Sequence, residues 1–207
     1  ARRVRPRESA DGTMPAAVAG AINLKIKGDD PAGAKALLDG IDTQLSPFAR
    51  AEWRAKIAWS FYIENDDPSA YALAQTAQDG AGPWVAEGWW TAGLAAWRLN
   101  DCAGATDAFA RAAAGSENAE LTAAAWFWQS RALVRCRQPE KASAPLRMAA
   151  RMDETLDGML AVEQLGTSLP KTHEAPDFSQ TDWQALRDEP ADRVQGLVDV
   201  AEPVVIR

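Results

Sequence analysis

The chain has very little of what most catalytic and metal sites are built from. Its 207 residues include one histidine, His173, and two cysteines, Cys102 and Cys136. These three residues do not have the spacing of a zinc site. The glycines are scattered among turns, so a glycine-rich phosphate loop is also missing. The sequence therefore predicts no metal and no cofactor, and we interpret His173 as a solvated loop residue.

Excess positive charge and long apolar runs are missing as well. The formal net charge is −7, which argues against nucleic-acid binding by bulk electrostatics. Only the first ten residues are basic, and they fit a frayed terminus better than a binding arm. No apolar run approaches the roughly 18 residues of a membrane span, so none is predicted. The arginine-rich start also lacks the apolar stretch of a signal peptide.

β-Branched residues are sparse between positions 26 and 194, whereas alanine is abundant. Alanine is the best helix former and β-branched residues suit strands, so the composition predicts an all-α fold. The chain also has nine tryptophans, and seven of them lie between Trp53 and Trp126. The large side chains are therefore concentrated in the middle of the chain.

That middle region contains an internal repeat. A shift of 37 residues places Trp89 on Trp126, Ala105 on Ala142 and Phe109 on Leu146. Large apolar residues thus coincide with large ones and alanines with alanines, as stacked copies of one packing unit require. The same shift, applied earlier in the chain, matches Ile22 with Trp59 and Ile26 with Ile63. The pattern predicts a superhelical solenoid of antiparallel helix pairs, tetratricopeptide-like, with right-handed stacking.

Periodicity and turn residues divide the chain into four regions. We predict an irregular N-terminal arm over 1–14, a helical repeat domain over 15–166, a linker loop over 167–180, and helices over 181–207. Ser179 and Asp182 form a possible capping box at the start of the fourth region. The predicted helices of the repeat domain are 14–27, 31–38, 47–64, 68–77, 84–99, 103–114, 121–136, 139–152 and 154–165.

The two cysteines are candidates for a disulfide. In the repeat frame Cys136 matches Leu99, three residues before Cys102, so the cysteines could lie near each other on adjacent units. A bridge requires Cα atoms within about 7 Å and an oxidising compartment. A disulfide and two separate buried thiols both remain open.

The tryptophans fit either a core or a ligand surface. Indole rings stack well on sugar rings, and a concave helical surface lined with them could hold glycan. Spacing along helix faces favours a core position for five of them: Trp53, Trp59, Trp90, Trp97 and Trp126. Trp84 and Trp183 begin their elements, and we take these two as the candidate contacts to glycan or to a partner protein.

Several ordered segments resemble the helical part of soluble lytic transglycosylases. The segments are Glu87-Gly88-Trp89, Ala92 to Leu99, Ala123 to Ala132 and Gly158 to Gly166, followed by Asp177-Phe178-Ser179 and Asp182-Trp183. The resemblance covers roughly residues 50–200. It implies a curved superhelical domain of a periplasmic enzyme that cleaves peptidoglycan glycan strands and leaves a 1,6-anhydro end.

In that family the catalytic glutamate lies in a Glu-Ser motif followed by Gly-Leu-Met-Gln, within a lysozyme-like domain on the C-terminal side. Here the only Glu-Ser is Glu8-Ser9, and Gly-Leu-Met-Gln does not occur. The resemblance therefore implies a scaffold with no catalytic residue of its own, leading towards a missing C-terminal catalytic domain. Its expected partners are that domain, peptidoglycan glycan strands or a cell-wall protein. The alternative is a stand-alone tetratricopeptide-like adaptor for protein–protein interaction.

Overall fold

The computed structural model describes residues 12–168 and 179–187, and these residues form ten α-helices and no strand. The all-α prediction is confirmed. Short 3₁₀ turns occur at Asp42–Gln44 and Ala77–Asp79. The helices are α1 (Ala16–Lys27), α2 (Pro31–Asp39), α3 (Pro47–Ile63), α4 (Asp67–Thr76), α5 (Trp84–Arg98), α6 (Cys102–Gly115), α7 (Ala119–Arg135), α8 (Pro139–Ala149), α9 (Leu156–Gln164) and α10 (Gln180–Arg187).

The chain divides into two compact units between residues 169 and 170. Helices α1 to α9 belong to the first unit and α10 to the second. The predicted capping box at α10 is confirmed, because the Ser179 amide donates to the Asp182 carboxylate (2.8 Å) and the Asp182 amide donates to Ser179 Oγ (3.3 Å). Three parts of the chain lie outside the described residues: residues 1–11 of the predicted arm, most of the linker loop with His173, and the chain after residue 187.

One turn geometry recurs four times in the first unit. After α1, α3, α5 and α7 a single residue adopts a left-handed conformation, with φ of 56° at Asp29, 63° at Asn65, 60° at Asn100 and 59° at Arg137. In each case the amide of the next residue donates to a carbonyl five residues earlier. This is the Schellman arrangement, which satisfies carbonyls at a helix end and reverses the chain. The four turns define four helix pairs: α1–α2, α3–α4, α5–α6 and α7–α8.

The second helix of the first three pairs begins with the same cap. The carboxylates of Asp30, Asp66 and Asp101 accept hydrogen bonds from backbone amides three residues later, at 2.8, 3.2 and 2.9 Å. An aspartate at this position satisfies one of the free amides of the first turn. In the fourth pair Gln138 takes the position without such a bond.

The spacing of the left-handed residues is 36, then 35, then 37 residues, taken from Asp29, Asn65, Asn100 and Arg137. The predicted shift of 37 is thus confirmed for the last two pairs and is one residue too long for the first two. The predicted match of Ile22 with Trp59 is wrong, because Ile22 is fully buried whereas Trp59 is 42% exposed. The structural equivalent of Ile22 is Ala58, which is also fully buried.

When the observed spacings of 36, 35 and 37 residues are applied, the same positions of the repeat are buried in all four pairs. On each second helix a buried alanine is followed four residues later by a second buried residue, and each first helix supplies a small or apolar buried residue. We call these twelve residues the seam: Ile22, Ala34 and Leu38; Ala58, Ala70 and Ala74; Gly93, Ala105 and Phe109; Ser130, Ala142 and Leu146.

The seam packs tightly at the third pair. Phe109 is fully buried, and a Cβ built on Gly93 would lie 2.5 Å from Phe109 Cδ1. Real Cβ atoms do not approach a ring so closely, so Gly93 gives α6 the room to pack its phenylalanine against α5. The two helices of this pair therefore pack at a distance that only glycine permits.

Contacts between helices follow the order of the chain. Consecutive helices from α1 to α9 pack on one another, and contacts also join α3 to α5, α5 to α7 and α7 to α9. One cluster of buried apolar residues runs from Ile22 in α1 to Ala125 in α7. The first helices of neighbouring pairs from α3 onward therefore lie side by side.

A disulfide joins the third pair to the fourth. Cys102 is the first residue of α6 and Cys136 is the cap residue after α7, and their Cα atoms are 5.6 Å apart. This resolves the alternative that the sequence left open. Arg135, beside Cys136, donates to the Trp97 carbonyl at 2.9 Å and to the side chain of Asn100. The bridge and these hydrogen bonds hold the ends of α5 and α7 together.

Candidate ligand-binding groove

A groove of about 470 Å³ lies on the first helices of the first three pairs. Its volume is within the range of about 300–1,000 Å³ that is usual for ligand sites. Each helix contributes residues three or four positions apart, which lie on one helix face. The lining residues are Asn23 and Ile26 from α1, Ala55, Lys56 and Trp59 from α3, and Trp84, Glu87, Trp90 and Thr91 from α5.

The helix pairs present equivalent positions to this groove. Asn23 in the first pair corresponds to Trp59 in the second, when the 36-residue spacing is applied. With the next spacing of 35 residues, Ala55 corresponds to Trp90 and Lys56 to Thr91. The groove is therefore formed by the same face of successive first helices, and its chemistry depends on which residues occupy that face.

Three indole rings line the groove, and two of them are fixed by packing on other aromatic rings. Trp90 contacts the buried Phe109, with ring centroids 5.5 Å apart. Trp59 stacks on Tyr62, with centroids 5.2 Å apart and an angle of 28° between the planes, while its side chain remains 42% exposed. Aromatic pairs of this kind restrict ring orientation as well as burying area. The exposed tryptophan is thus held in place before any ligand arrives.

Arg98 supports the ring on which Trp59 stacks. Its guanidinium lies 3.6 Å from the centroid of the Tyr62 ring and donates through Nε to the Asp67 carboxylate at 2.7 Å. It also donates to the Tyr62 carbonyl and to the Asn65 side chain. The guanidinium therefore fixes Tyr62 from the side of the turn between α3 and α4, and this orders Trp59 indirectly.

The cation in the groove is already engaged. Lys56 Nζ lies 2.5 Å from the Glu52 carboxylate, one helical turn earlier. The same ammonium lies 4.9 Å from the centroid of the Trp53 ring and 5.0 Å from that of Trp84. These are distances at which a cation is attracted to the face of an indole. Lys56 thus occupies the position that a cationic ligand would take over Trp84.

The acid in the groove has no such partner. Glu87 is half-buried, and its carboxylate makes no ion pair or hydrogen bond to any residue that the structure describes. Burial raises the pKa of the Glu87 carboxyl above its ordinary value. Its backbone carbonyl accepts a hydrogen bond from the buried Thr91 hydroxyl at 3.1 Å. Among the described residues the side chain is therefore an acceptor without a partner, and it lies between Trp84 and Trp90 in the sequence of α5.

The structure places one of the two predicted contact residues in this groove. Trp84 lines it, whereas Trp183 belongs to α10 in the second unit, where its side chain is 57% exposed. Among the tryptophans predicted for the core, Trp53 is buried, and Trp90, Trp97 and Trp126 are half-buried against core clusters. The core prediction for Trp59 is wrong, because its ring points to the groove.

Sequence reasoning also missed Asn23, Lys56 and Glu87. Glu87 carried a usable signal, because it is the only charged residue between Trp84 and Trp97 and is three positions from both Trp84 and Trp90. Residues three apart share a helix face, so an acid at this place marks that face as polar. Asn23 and Lys56 carried no comparable signal, since only tertiary packing brings residues of α1 and α3 to one groove.

A second cavity, of about 400 Å³, has charges that are satisfied internally. Its Arg54 pairs with Asp42 at 2.6 Å and also donates to the Thr76 carbonyl at 2.6 Å. Its Lys35 pairs with Asp39 at 2.6 Å. The Arg54 contacts link α3 to α4 and to the turn before α3, and the Lys35–Asp39 pair lies within α2. The charged residues that line this cavity are therefore paired with one another, so we assign it a structural role.

Within residues 12–168 and 179–187, no three histidine, cysteine, aspartate or glutamate side chains converge as metal ligands would. The described helices also include none with the length and apolar character needed to span a bilayer. Comparison with known proteins gives no match: neither a family model, nor a curated protein, nor a solved structure resembles this chain significantly.

Proposed function

We propose that this chain is the helical scaffold of a peptidoglycan lytic transglycosylase, and that its catalytic glutamate belongs to a separate C-terminal domain. Support comes from the ordered residues that resemble this family and from the fourfold recurrence of one helix pair. In this proposal the pairs stack as a right-handed, tetratricopeptide-like superhelical solenoid. The contacts between successive pairs agree with such stacking.

The disulfide is the observation that supports a periplasmic location. Disulfides persist in oxidising environments such as the bacterial periplasm and are rare in the cytosol. The Cys102–Cys136 bridge therefore favours a periplasmic protein, where peptidoglycan is the accessible polymer. The scaffold would shape access to glycan strands or dock a partner of the cell-wall machinery.

The first test of this proposal is the coding sequence downstream of Arg207. We expect a Glu-Ser motif followed by Gly-Leu-Met-Gln. A second test is digestion of purified sacculi. The chain of 207 residues should release no 1,6-anhydro-muropeptides, whereas the protein extended through the motif should release them. Release by the short chain, or a stop codon directly after Arg207, would overturn the proposal.

The second candidate is a tetratricopeptide-like adaptor that binds a protein or peptide. The groove lined by residues of α1, α3 and α5 favours it, because equivalent faces of successive helix pairs can present a continuous binding face. A stop codon after Arg207 supports this candidate and opposes the first. The downstream sequence therefore discriminates between the two.

A further inference from the structure

We propose that the groove lined by Trp59, Trp84, Trp90 and Glu87 binds neutral pyranose rings of a β-1,4-linked N-acetylhexosamine strand. The choice of N-acetylhexosamine rests on the proposed function. The choice of a neutral sugar ring rests on the groove itself, and the following observations lead to it.

The first observation is the combination of flat apolar surfaces with a few polar groups. Ligand sites typically have apolar walls and a small number of polar groups that fix orientation. Here three indole rings provide the walls, and Asn23 and Glu87 provide the polar groups. A pyranose has the matching surface, because its C–H faces are apolar while its hydroxyls lie around the edge. An aliphatic ligand would leave the polar groups unpaired, at a penalty.

The second observation concerns charge. Lys56 already places its ammonium over the Trp84 ring and pairs with Glu52. A cationic ligand would be repelled by that ammonium. An anionic ligand would meet the unpaired carboxylate of Glu87, which lies on the groove wall. A neutral ligand with hydroxyl groups avoids both conflicts.

The third observation is the unpaired acceptor. A carboxylate accepts hydrogen bonds from hydroxyl donors, and bonds to an ionised group are stronger than those between neutral groups. Glu87 makes no such bond within the described protein, and burial has already removed part of its hydration, which raises its pKa. A sugar hydroxyl is a donor of suitable size. Asn23, which lines the groove from α1, can both donate and accept.

The fourth observation is preorganisation. Trp59 is fixed by Tyr62 and, through it, by Arg98, while Trp90 is fixed by Phe109. A site whose side chains are already ordered loses less entropy when a ligand binds. The 42% exposure of Trp59 thus leaves an ordered aromatic surface available for stacking.

The test is a titration of the ¹⁵N-labelled chain with chitotetraose, followed through the indole N–H signals in NMR spectra. The Trp59 signal is assigned by its absence from Trp59→Phe. We expect saturable shifts of the Trp59 and Trp84 signals, with Kd on the order of 1 mM, which corresponds to about −4 kcal/mol. No shift at 10 mM chitotetraose, with the protein folded, would overturn the proposal.

Variants test the residues individually. Trp59→Ala and Glu87→Ala should each weaken binding about tenfold, whereas Trp59→Phe should retain most of the affinity. The matched control is Ile63→Ala, on the same helix and 54% exposed but outside the groove, which should bind as the unchanged chain does. Thermal melts confirm that each variant is folded. Equal binding by folded Trp59→Ala would contradict the assignment.

Two further oligosaccharides test the ligand class. The cationic tetramer of glucosamine should bind at least tenfold more weakly than chitotetraose. Tighter binding of this cation would show a cation site instead. Binding of cellotetraose without chitotetraose would overturn the N-acetylhexosamine assignment. These outcomes are independent of the downstream sequence, so this inference and the proposed function can fail separately.

Discussion

The seam and the groove are formed by the same helix pairs but use large residues in opposite ways. In the seam, Leu38, Phe109 and Leu146 occupy one position of the repeat and are at most 6% exposed. In the groove, Trp59 also occupies a repeat position, but its ring remains 42% exposed. The seam is covered because the partner helix of each pair packs on it. No helix that the structure describes covers the groove face in this way, so residue type alone does not determine burial.

The largest expected effect compares one aromatic residue from each region. Phe109→Ala should lower the free energy of unfolding by about 3–5 kcal/mol, because it leaves a cavity in a closely packed seam. Trp59→Ala should lower it by about 1 kcal/mol or less, since much of that ring is already in contact with water. Urea denaturation measures both values. Equal losses would show that the groove face is part of the core.

Removing the disulfide should lower the stability of the protein without changing its affinity for the ligand. The double variant Cys102→Ser/Cys136→Ser should lose about 2–4 kcal/mol, because the bridge closes a loop with a sequence separation of 34. Reduction of the unchanged chain with dithiothreitol is the control and should give the same loss. Affinity for chitotetraose should be unchanged, since neither cysteine lines the groove. A large fall in affinity would contradict the separation of the two regions.

Two helical glycines provide a matched pair for the packing of the seam. Gly93→Ala should destabilise by about 1–3 kcal/mol, because its Cβ would overlap the Phe109 ring. Gly20→Ala in α1 should instead stabilise by up to about 1 kcal/mol, since no atom lies within 4 Å of its new Cβ. Thermal denaturation measures both effects. Phe109→Leu in the Gly93→Ala background should recover part of the loss, and additive effects would contradict direct contact.

The smallest expected effect comes from the carboxylate in the groove. Burial raises the pKa of Glu87 in the folded state, so the folded protein holds this proton more tightly than the unfolded chain does. Stability from this group is therefore present at acidic pH and is lost as pH rises through the folded pKa. Glu87→Gln should be more stable than the unchanged chain by a few tenths of a kcal/mol at pH 7.

This difference in stability should shrink as the pH falls towards the ordinary pKa of a glutamate in the unfolded chain. Denaturation midpoints measured between pH 4 and 7 provide the comparison. Asp157→Asn, in α9, should show the same sign, because burial also raises the pKa of the Asp157 carboxyl. A stability gain from Glu87→Gln that increased at acidic pH would contradict burial as the cause.

Local signals predicted the helices well. The ends predicted for α1 to α9 lie within three residues of those observed, because prolines, glycines and aspartates mark them in the sequence. The 37-residue shift also matched Ala105 and Phe109 on α6 with Ala142 and Leu146 on α8. On α2 and α4 the same pattern was missed, since Ala74 is small and the spacing changes from 37 to 36 and 35 residues.

The candidate site was less predictable than the helices. Trp84 was predicted as a contact residue, but Trp59 was assigned to the core on the basis of spacing along helix faces. Glu87, Lys56 and Asn23 were not recognised as neighbours. Their proximity depends on three helices packing together, which is not encoded in any single stretch of sequence.

The sequence by itself determined the helices, their caps and the existence of a repeated pair, because these depend on residues a few positions apart. The tertiary structure decided which faces are covered and which indoles remain exposed, and it brought Cys102 and Cys136 within bonding distance. Burial and proximity are properties of packing between distant segments. A helix end depends on its own few residues, whereas a groove depends on the positions of all the helices around it.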